Sequence, residues 1–249
     1  MNILKRTSPS DLLICFHHAG GSGRVFKSWE KALPACEVLA VDMPNRGENY
    51  GKPFPKDVRS YAEKTAETLK PLIGSRPFVL YGHSLGALNA FLTAYFLEQD
   101  HITAKGLVVS GRHAPNQPNP SPYQSGMGRD VLLKTIRDYG MTPEELLGNK
   151  DFLDYYLPVI EKDYAWSETY EYHGELLQKI PIRAHAAVDD PEANPEMMSL
   201  WKDMTLSDFS TATFEGGHFF PFNREEAHLK ILKETLSRWF YRDQRSKVV

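Results

Sequence analysis

The chain has 249 residues, a length at which a single α/β domain is common. Its 29 Lys and Arg nearly balance its 32 Asp and Glu, and the formal net charge of −3 disfavours a mainly electrostatic nucleic-acid binder. A hydrophobic fraction of 41% and a charged fraction of 24% exclude a disordered or fibrous chain. With two cysteines and no signal-peptide or membrane-spanning pattern, we expect a cytoplasmic protein.

Short, continuous apolar runs in the first half of the chain predict strands that are covered on both faces, as in a parallel sheet. These runs are residues 12–16, 37–41, 78–81 and 106–109. Between them, apolar residues at helical spacing predict helices at 57–73 and 85–97. Alternation of strands and helices indicates an α/β protein with a mostly parallel, doubly wound sheet.

The middle of the chain interrupts this alternation. Residues 115–122 contain four prolines and exclude regular structure, and helical patterns without strands follow from about residue 130 to 177. Within them a helix start is predicted, with Thr142 as N-cap, Pro143 at N1 and Glu145 at N3. We expect residues 115–178 to form a helical lid inserted into one domain of residues 1–249. The aromatic residues of this insertion suit a cover over an apolar ligand, or they only pack the insertion onto the sheet.

The strand pattern resumes after the insertion. Residues 182–188 and 210–214 predict two more strands, and residues 225–241 predict a final helix with one apolar face. Neither an internal repeat nor a low-complexity tract is found.

The segment Gly82-His83-Ser84-Leu85-Gly86 matches G-x-S-x-G and stands between a predicted strand and a predicted helix. This context places the serine on a tight turn with its hydroxyl exposed, where glycines remove side chains that would clash. The first N–H groups of the following helix are suited to stabilise negative charge. We predict Ser84 to be a nucleophile; the alternative is an ordinary glycine-rich turn.

A serine nucleophile needs a base, and in this arrangement the chain order is serine, acid, histidine. His218 follows the last predicted strand and two glycines, so we predict it to be the base. The acid should follow the strand at 182–188, where Asp189 and Asp190 precede Pro191. We favour Asp190 as the group that holds the imidazole tautomer, with Asp189 as the alternative.

Acyl transfer also requires two donors for the oxyanion of the transition state. We predict the backbone N–H of Leu85 and that of Ala19, which lies in the glycine-rich loop after the first strand. Substrate contacts are predicted for His18, Gly20 and Phe219. Glycine-rich loops after strands can also bind phosphates, but this loop matches neither a P-loop nor G-x-G-x-x-G. Its two histidines are not accompanied by further His, Cys or Asp at ligand spacing, so no metal site is predicted.

Several segments together resemble the α/β-hydrolase fold and, more narrowly, the type II thioesterases of nonribosomal peptide and polyketide synthesis. The segments are FHHAGGS at 16–22, VDMPNRGE at 41–48, YGHSLGA at 81–87, SGRHAP at 110–115, TPEE at 142–145, the stretch 157–170, DDP at 189–191 and GHFF at 217–220. Two positions depart from the family's pattern. His17 stands where the family usually has proline, and Asn45 stands where it usually has glycine. Asparagine tolerates left-handed backbone, so the second change is expected to be mild.

The resemblance implies a serine hydrolase that removes acyl groups from the phosphopantetheine arm of an acyl or peptidyl carrier protein, in the editing of a synthase. It implies a Ser-His-Asp triad, no bound cofactor or metal, and a transient carrier contact. Because carrier proteins are commonly acidic, we expect exposed Lys and Arg near the lid mouth to make that contact, with Arg24, Arg112 and Arg129 as candidates. No nucleic acid or membrane partner is expected, and we expect a monomer. The alternatives are a small-molecule carboxylesterase, a medium-chain fatty-acyl thioesterase and, from another class, a non-catalytic binder on the same fold.

Overall fold

The computed structural model describes residues 11–121 and 124–245. At its centre is a six-stranded sheet made of β1 Leu12–Phe16, β2 Glu37–Val41, β3 Phe78–His83, β4 Gly106–Ser110, β5 Ile182–Ala187 and β6 Phe209–Phe214. The strand order is β2-β1-β3-β4-β5-β6, and every neighbouring pair is parallel. The predicted fold class is therefore confirmed, and each predicted strand is present with ends that differ by at most about two residues, the usual uncertainty of such boundaries.

Helices cover the sheet. They are α1 Lys27–Ala32, α2 Val58–Ile73, α3 Leu85–Gln99, α4 Arg129–Tyr139, α5 Glu144–Leu147, α6 Lys150–Glu168, α7 Pro195–Ser199, α8 Phe220–Asn223 and α9 Glu225–Arg245. Helix α2 begins where the Asp57 carboxylate accepts the Ser60 N–H at 2.7 Å, an N-cap that satisfies one of the free donors of the first turn. None of these described helices is both long and apolar enough to cross a bilayer.

Alternate side chains of β1 point to opposite faces of the sheet. Leu12, Ile14 and Phe16 join the apolar cluster that includes α2 and α3, whereas Leu13 and Cys15 join the cluster formed with α1 and α9. The central strands are thus covered on both faces, as predicted. Strand β2 is not: its residues are exposed or half-buried because it lies at the sheet edge, so the prediction of full coverage is wrong for this strand.

The segment between β4 and β5 contains α4, α5 and α6, which share a small apolar cluster of their own. Its buried members are Leu132, Ile136, Leu147, Leu153, Leu157 and Ile160. The predicted helix start at Thr142 is wrong in detail. Helix α5 begins at Glu144, and its N-cap is Pro143, which makes no side-chain cap bond. The reason is that Pro143 keeps an extended ψ of 140°, so the helix cannot start before it.

The sequence predicts helices as far as about residue 177, but the last of them, α6, ends at Glu168. An irregular stretch follows it. This stretch is organised by the fully buried carboxylate of Glu175. It accepts the Tyr170 hydroxyl at 3.2 Å and the His173 N–H at 2.8 Å, and it forms an ion pair with Arg59 of α2. These contacts pair the buried charge of Glu175, as the burial of a carboxylate requires.

Candidate active site

The carboxyl ends of the parallel strands meet at one edge of the sheet. In the strand register Phe16 pairs with Gly82, and His83 pairs with Ser110. Strand β2 lies on one side of β1, and the chain then crosses back so that β3 lies on the other side. The direction of winding therefore reverses between β1 and β3, which makes this gap a topological switch point. Open α/β sheets bind ligands outside the strand ends at such a point. The loops after β1, β3, β5 and β6 are therefore positioned around one site.

Ser84 lies in the turn between β3 and α3 with φ 55° and ψ −124°, a strained conformation for a residue other than glycine. Its N–H donates to the Ser110 carbonyl at 2.8 Å. A Cβ on Gly82 would lie 2.1 Å from the Gly86 carbonyl oxygen, and a Cβ on Gly86 would lie 2.1 Å from the Phe16 carbonyl oxygen. The two glycines of the motif are thus required by the close approach of α3 to the sheet.

His218 lies between β6 and α8, and its Nδ1 is 2.9 Å from Oδ2 of Asp190. Asp190 is buried after β5, and its other oxygen accepts the Glu192 N–H at 3.0 Å. Asp189 is exposed. The structure thus brings Asp190, and not its neighbour, to the imidazole. Because the carboxylate accepts a hydrogen bond from Nδ1, the proton of the neutral ring lies there and Nε2 is the basic nitrogen.

The charges around His218 favour its protonated form. Burial lowers its pKa, but the hydrogen bond and charge of Asp190, together with the charge of Glu192, outweigh burial and raise the pKa above the usual value. Two nearby histidines behave in the opposite way. Burial lowers the pKa of His18 to about 3 and lowers that of His83 well below its usual range. Of these three rings, His218 is therefore the one able to hold a proton near neutral pH.

Ser84 and His218 line one pocket with a cavity of about 60 Å³. His18, Ala19, Leu85 and Phe219, also predicted from the sequence, contribute to its wall. The segment between β4 and β5 supplies Ser121, Ile136, Tyr139, Met141, Thr142, Tyr156, Ile160, Tyr164 and Ser167. Gly20, another predicted substrate contact, is not part of the wall, and its N–H donates to Asp163 at 2.7 Å. Among the residues that the structure describes, no three histidine, cysteine or carboxylate side chains are placed to hold a metal ion.

Arg112 is a pocket residue, and the expectation that its side chain is exposed is wrong. Its side chain is buried, and Nη1 donates to Ser167 Oγ at 2.8 Å. The backbone is held in the core because the Arg112 carbonyl accepts the buried Trp201 indole N–H at 2.7 Å. The SGRHAP segment of the resemblance was the signal that this arginine belongs to the site rather than to the surface.

Tyr139 and Glu192 are polar pocket residues that sequence reasoning missed. The Tyr139 hydroxyl donates to the Glu192 carboxylate, and the Tyr139 ring centroid is 5.2 Å from that of His218. A chain of contacts therefore runs from α4 through Glu192 to Asp190. Position beside Asp190 was a weak signal for Glu192, whereas nothing in the sequence around Tyr139 indicates the contact.

The two departures from the family pattern have clear places in the structure. The Met43 N–H donates to Nε2 of His17 at 3.2 Å, so Nδ1 carries the proton and donates to the His18 carbonyl at 2.7 Å. His17 is buried, which lowers its pKa, and it joins the loop after β1 to the segment after β2. Asn45 has φ 60°, the left-handed conformation that asparagine accepts in place of glycine.

Comparison with known proteins agrees with this geometry. The thioesterase domain family matches residues 12–239. The chain is 32% identical over 233 residues to LgrE of Brevibacillus parabrevis, named as a linear gramicidin dehydrogenase, covering 92% of this chain and 88% of LgrE. It is 33% identical over 210 residues to thioesterase PikA5 of Streptomyces venezuelae, covering 84% of this chain and 74% of PikA5.

A solved structure is also similar over nearly the whole chain. The type II thioesterase BorB, from the borrelidin biosynthetic cluster, superposes with a TM-score of 0.81 at 32% identity, covering 90% of this chain and 91% of BorB. The sheet order, the strained turn at Ser84 and these matches lead to one conclusion. The chain belongs to the thioesterase family, hydrolases that act on thioesters, and it has the α/β-hydrolase fold.

Proposed function

We propose that this thioesterase hydrolyses acyl groups held as thioesters on the phosphopantetheine arm of an acyl or peptidyl carrier protein, as an editing enzyme of a nonribosomal peptide or polyketide synthase. One observation carries the proposal: Ser84 occupies a strained turn in the same pocket as His218, whose ring is bonded to Asp190. The type II thioesterase BorB, at 32% identity, comes from a biosynthetic cluster, which supports the substrate class.

In the proposed reaction Ser84 Oγ attacks the thioester carbonyl while His218 Nε2 takes its proton. The C–S bond then breaks, and the thiol leaves with that proton. Water next attacks the acyl-enzyme and loses a proton to His218. The C–O bond to Ser84 then breaks, His218 returns the proton to Ser84 Oγ, and the carboxylic acid leaves. Asp190 holds the ring tautomer and stabilises the imidazolium throughout. These steps use side chains and water alone, so we propose that no cofactor or metal takes part and that phosphopantetheine arrives with the substrate.

The proposed oxyanion donors are the N–H groups of Leu85 and Ala19. Leu85 is the first residue of α3, so its N–H has no acceptor within the helix, and the positive end of the helix dipole lies there. Ala19 lies across the switch point, on the loop after β1, and both residues line the pocket. Residues 115–178, with α4 to α6, are the proposed lid.

The name of LgrE describes a dehydrogenase, and we do not propose that activity here. A nicotinamide dinucleotide site of the Rossmann kind requires G-x-G-x-x-G between the first strand and its helix. The loop after β1 reads HHAGGSG at residues 17–23, which lacks that spacing. The strained serine turn between β3 and α3 instead favours acyl transfer. We further propose that the enzyme is cytoplasmic, because its substrate would be delivered by an intracellular synthase, and that it acts as a monomer.

The proposal that the substrate is bound to a carrier protein is tested by comparing one acyl group on three different supports. One short acyl group is offered on a holo carrier protein, on coenzyme A and as a p-nitrophenyl ester. We expect kcat/KM to be higher on the carrier by at least about tenfold, because contact with the carrier adds about 1.4 kcal/mol or more of binding energy. Ser84→Ala measured in parallel gives the background. Preference for the simple ester would contradict the carrier proposal and favour a general esterase.

The cavity volume predicts a preference for short acyl groups. About 60 Å³ is room for only about four to six water molecules, and Ile136 of α4 and Ile160 of α6 form part of its wall. We therefore expect kcat/KM to fall at least about tenfold between propionyl and octanoyl thioesters, since a longer chain must displace a packed helix. The contrary result, a preference for octanoyl, would support the medium-chain fatty-acyl alternative.

A pair of variants on α4 controls this test. Ile136→Ala enlarges the pocket, and we expect it to extend the accepted chain length. Leu132→Ala removes a side chain of similar size from the same helix and the same apolar cluster, but this side chain does not line the pocket. Both variants lose stability, so only a pocket effect distinguishes them.

A further inference from the structure

Helix α6 rests directly on the loop that follows β1. A Cβ on Gly20 would lie 2.6 Å from the Ile160 side chain and 3.0 Å from the Tyr156 hydroxyl. Gly20 has φ +73°, the left-handed region that favours glycine. The backbone of the loop therefore contacts the proposed lid without an intervening side chain, and any movement of α6 changes the surroundings of this loop.

The Asp163 carboxylate of α6 joins two loops to the helix. It is fully buried, and its Oδ2 accepts the Gly20 N–H at 2.7 Å. Nη2 of Arg46, which is 8% exposed in the loop after β2, lies 3.0 Å from Oδ2 and 3.1 Å from Oδ1. Burial raises the pKa of Asp163, and the Arg46 charge and the Gly20 N–H oppose that rise. This one side chain therefore connects the helical segment with the ends of β1 and β2.

The two peptide groups that flank Ala19 are held from opposite sides. The group after Ala19 carries the Gly20 N–H, which Asp163 holds. The group before it carries the His18 carbonyl, which accepts from His17 Nδ1 at 2.7 Å and from the Gly21 N–H at 3.0 Å. Because a peptide group is planar and trans, a fixed His18 carbonyl sets the line of the Ala19 N–H, which points the opposite way. Of these anchors, only the one through Asp163 comes from α6.

We propose that Asp163 is a positioning residue for the loop that bears Ala19, so that this loop keeps its catalytic geometry only while α6 is seated. The inference rests on the proposed function, because it uses Ala19 as an oxyanion donor. When α6 moves away to admit a substrate, the bonds from Asp163 to Gly20 and Arg46 break together. Closure of α6 restores them and completes the site, so the oxyanion donor is held in place only while α6 is seated.

The test is a double variant, Arg46→Met with Asp163→Leu. Replacement of a buried ion pair by apolar residues of similar volume is often neutral for stability, so the fold should survive while the Gly20 N–H loses its acceptor. We expect kcat to fall on the order of 10- to 100-fold, less than the full loss of an oxyanion donor, with KM changed by less than about threefold. Inhibition by an alkylboronic acid, which forms a tetrahedral adduct with serine, should weaken by the same factor as kcat.

Two variants serve as controls. Arg46→Lys keeps a cation beside Asp163 and should retain most of the wild-type kcat. If the loop required the guanidinium group itself, this variant would lose activity as well. Asp154→Asn changes the same residue type on the same helix, where the carboxylate is exposed and pairs with Arg129 and Lys150. An exposed pair of this kind contributes little, so kcat and boronate inhibition should stay at wild-type values.

A folded double variant with unchanged kcat and unchanged boronate inhibition would overturn the positioning role. If the double variant fails to fold, Arg46→Leu with Asp163→Ala, a smaller apolar pair that also removes the acceptor of the Gly20 N–H, is measured against the same two criteria. A wild-type enzyme that hydrolyses no thioester would contradict the proposed function, and this role with it. That result comes from the wild type alone, so it is distinguishable from a failure at Asp163.

Discussion

Replacing Ser84 with alanine is expected to lower kcat on a carrier-bound acyl thioester by on the order of 10⁴- to 10⁶-fold. Without Oγ no acyl-enzyme forms, and only binding and the oxyanion donors remain. Alanine and serine share the same Cβ, so the turn at φ 55° gains no new collision. Far-ultraviolet circular dichroism should therefore match that of the wild type, and the carrier should still bind.

The measurement combines steady-state rates with mass spectrometry of the protein after mixing with substrate. The wild type should gain the mass of the acyl group, and Ser84→Ala should not. Ser110→Ala is a matched control, since Ser110 is a serine at the end of the neighbouring strand β4 that is buried and lies outside the pocket wall. It should keep kcat within about tenfold, in line with the loss of one ordinary hydrogen bond. An acylated Ser84→Ala protein would disprove the nucleophile assignment.

Asp190→Asn should lower kcat by about 10⁴-fold, because an amide does not hold the imidazole in the tautomer that leaves Nε2 basic. The carboxylate oxygen 2.9 Å from His218 Nδ1 is the atom whose charge is lost. Asp189→Asn is the matched control, since Asp189 is exposed and the His218 ring is bonded to its neighbour instead. It should leave kcat near the wild-type value. The reverse order of effects would assign the acid to Asp189.

Asp190→Asn is also expected to change the pH dependence of kcat/KM. His218 must be neutral to accept the serine proton, so kcat/KM should fall as pH decreases through its pKa. In the wild type, burial lowers this pKa, but Asp190 and Glu192 outweigh burial and hold it above the usual value. In Asp190→Asn the largest raising contributions are gone, so the acidic limb should move to lower pH. A limb that moves to higher pH would show that Asp190 does not set the charge on His218.

Local sequence was sufficient for the strands and for the central chemistry. Buried strands read as unbroken apolar runs, and the turn at Ser84 shows in its flanking glycines because α3 approaches the sheet too closely for any side chain there. Chain order also placed the acid at Asp189 or Asp190, and the structure brings Asp190 to His218. Edge exposure did not follow, since β2 has the same apolar run as an interior strand and only its place in the sheet distinguishes it.

The wall of the pocket was beyond local reasoning because its contacts join distant parts of the chain. Tyr139 meets Glu192 across 53 positions, and Gly20 meets Asp163 across 143. Such pairs depend on how the helical segment folds back over the sheet, which neither periodicity nor capping residues specify. The helix start at Thr142 illustrates the limit, because its capping pattern is correct in composition, yet the proline shifts the boundary by one residue.

The helical segment leaves the sheet at the end of β4 and returns at the start of β5, and these two strands are direct neighbours in the register, with Leu107 paired to Ile182. Its length therefore places no strain on the strand pairing, because the spacing between its two attachment strands is already fixed by their ladder. Insertions and exchanges in such a segment cost little loop-closure entropy. Evolution can thus reshape the acyl chamber through this one segment while the elements that carry Ser84, Asp190 and His218 stay unchanged.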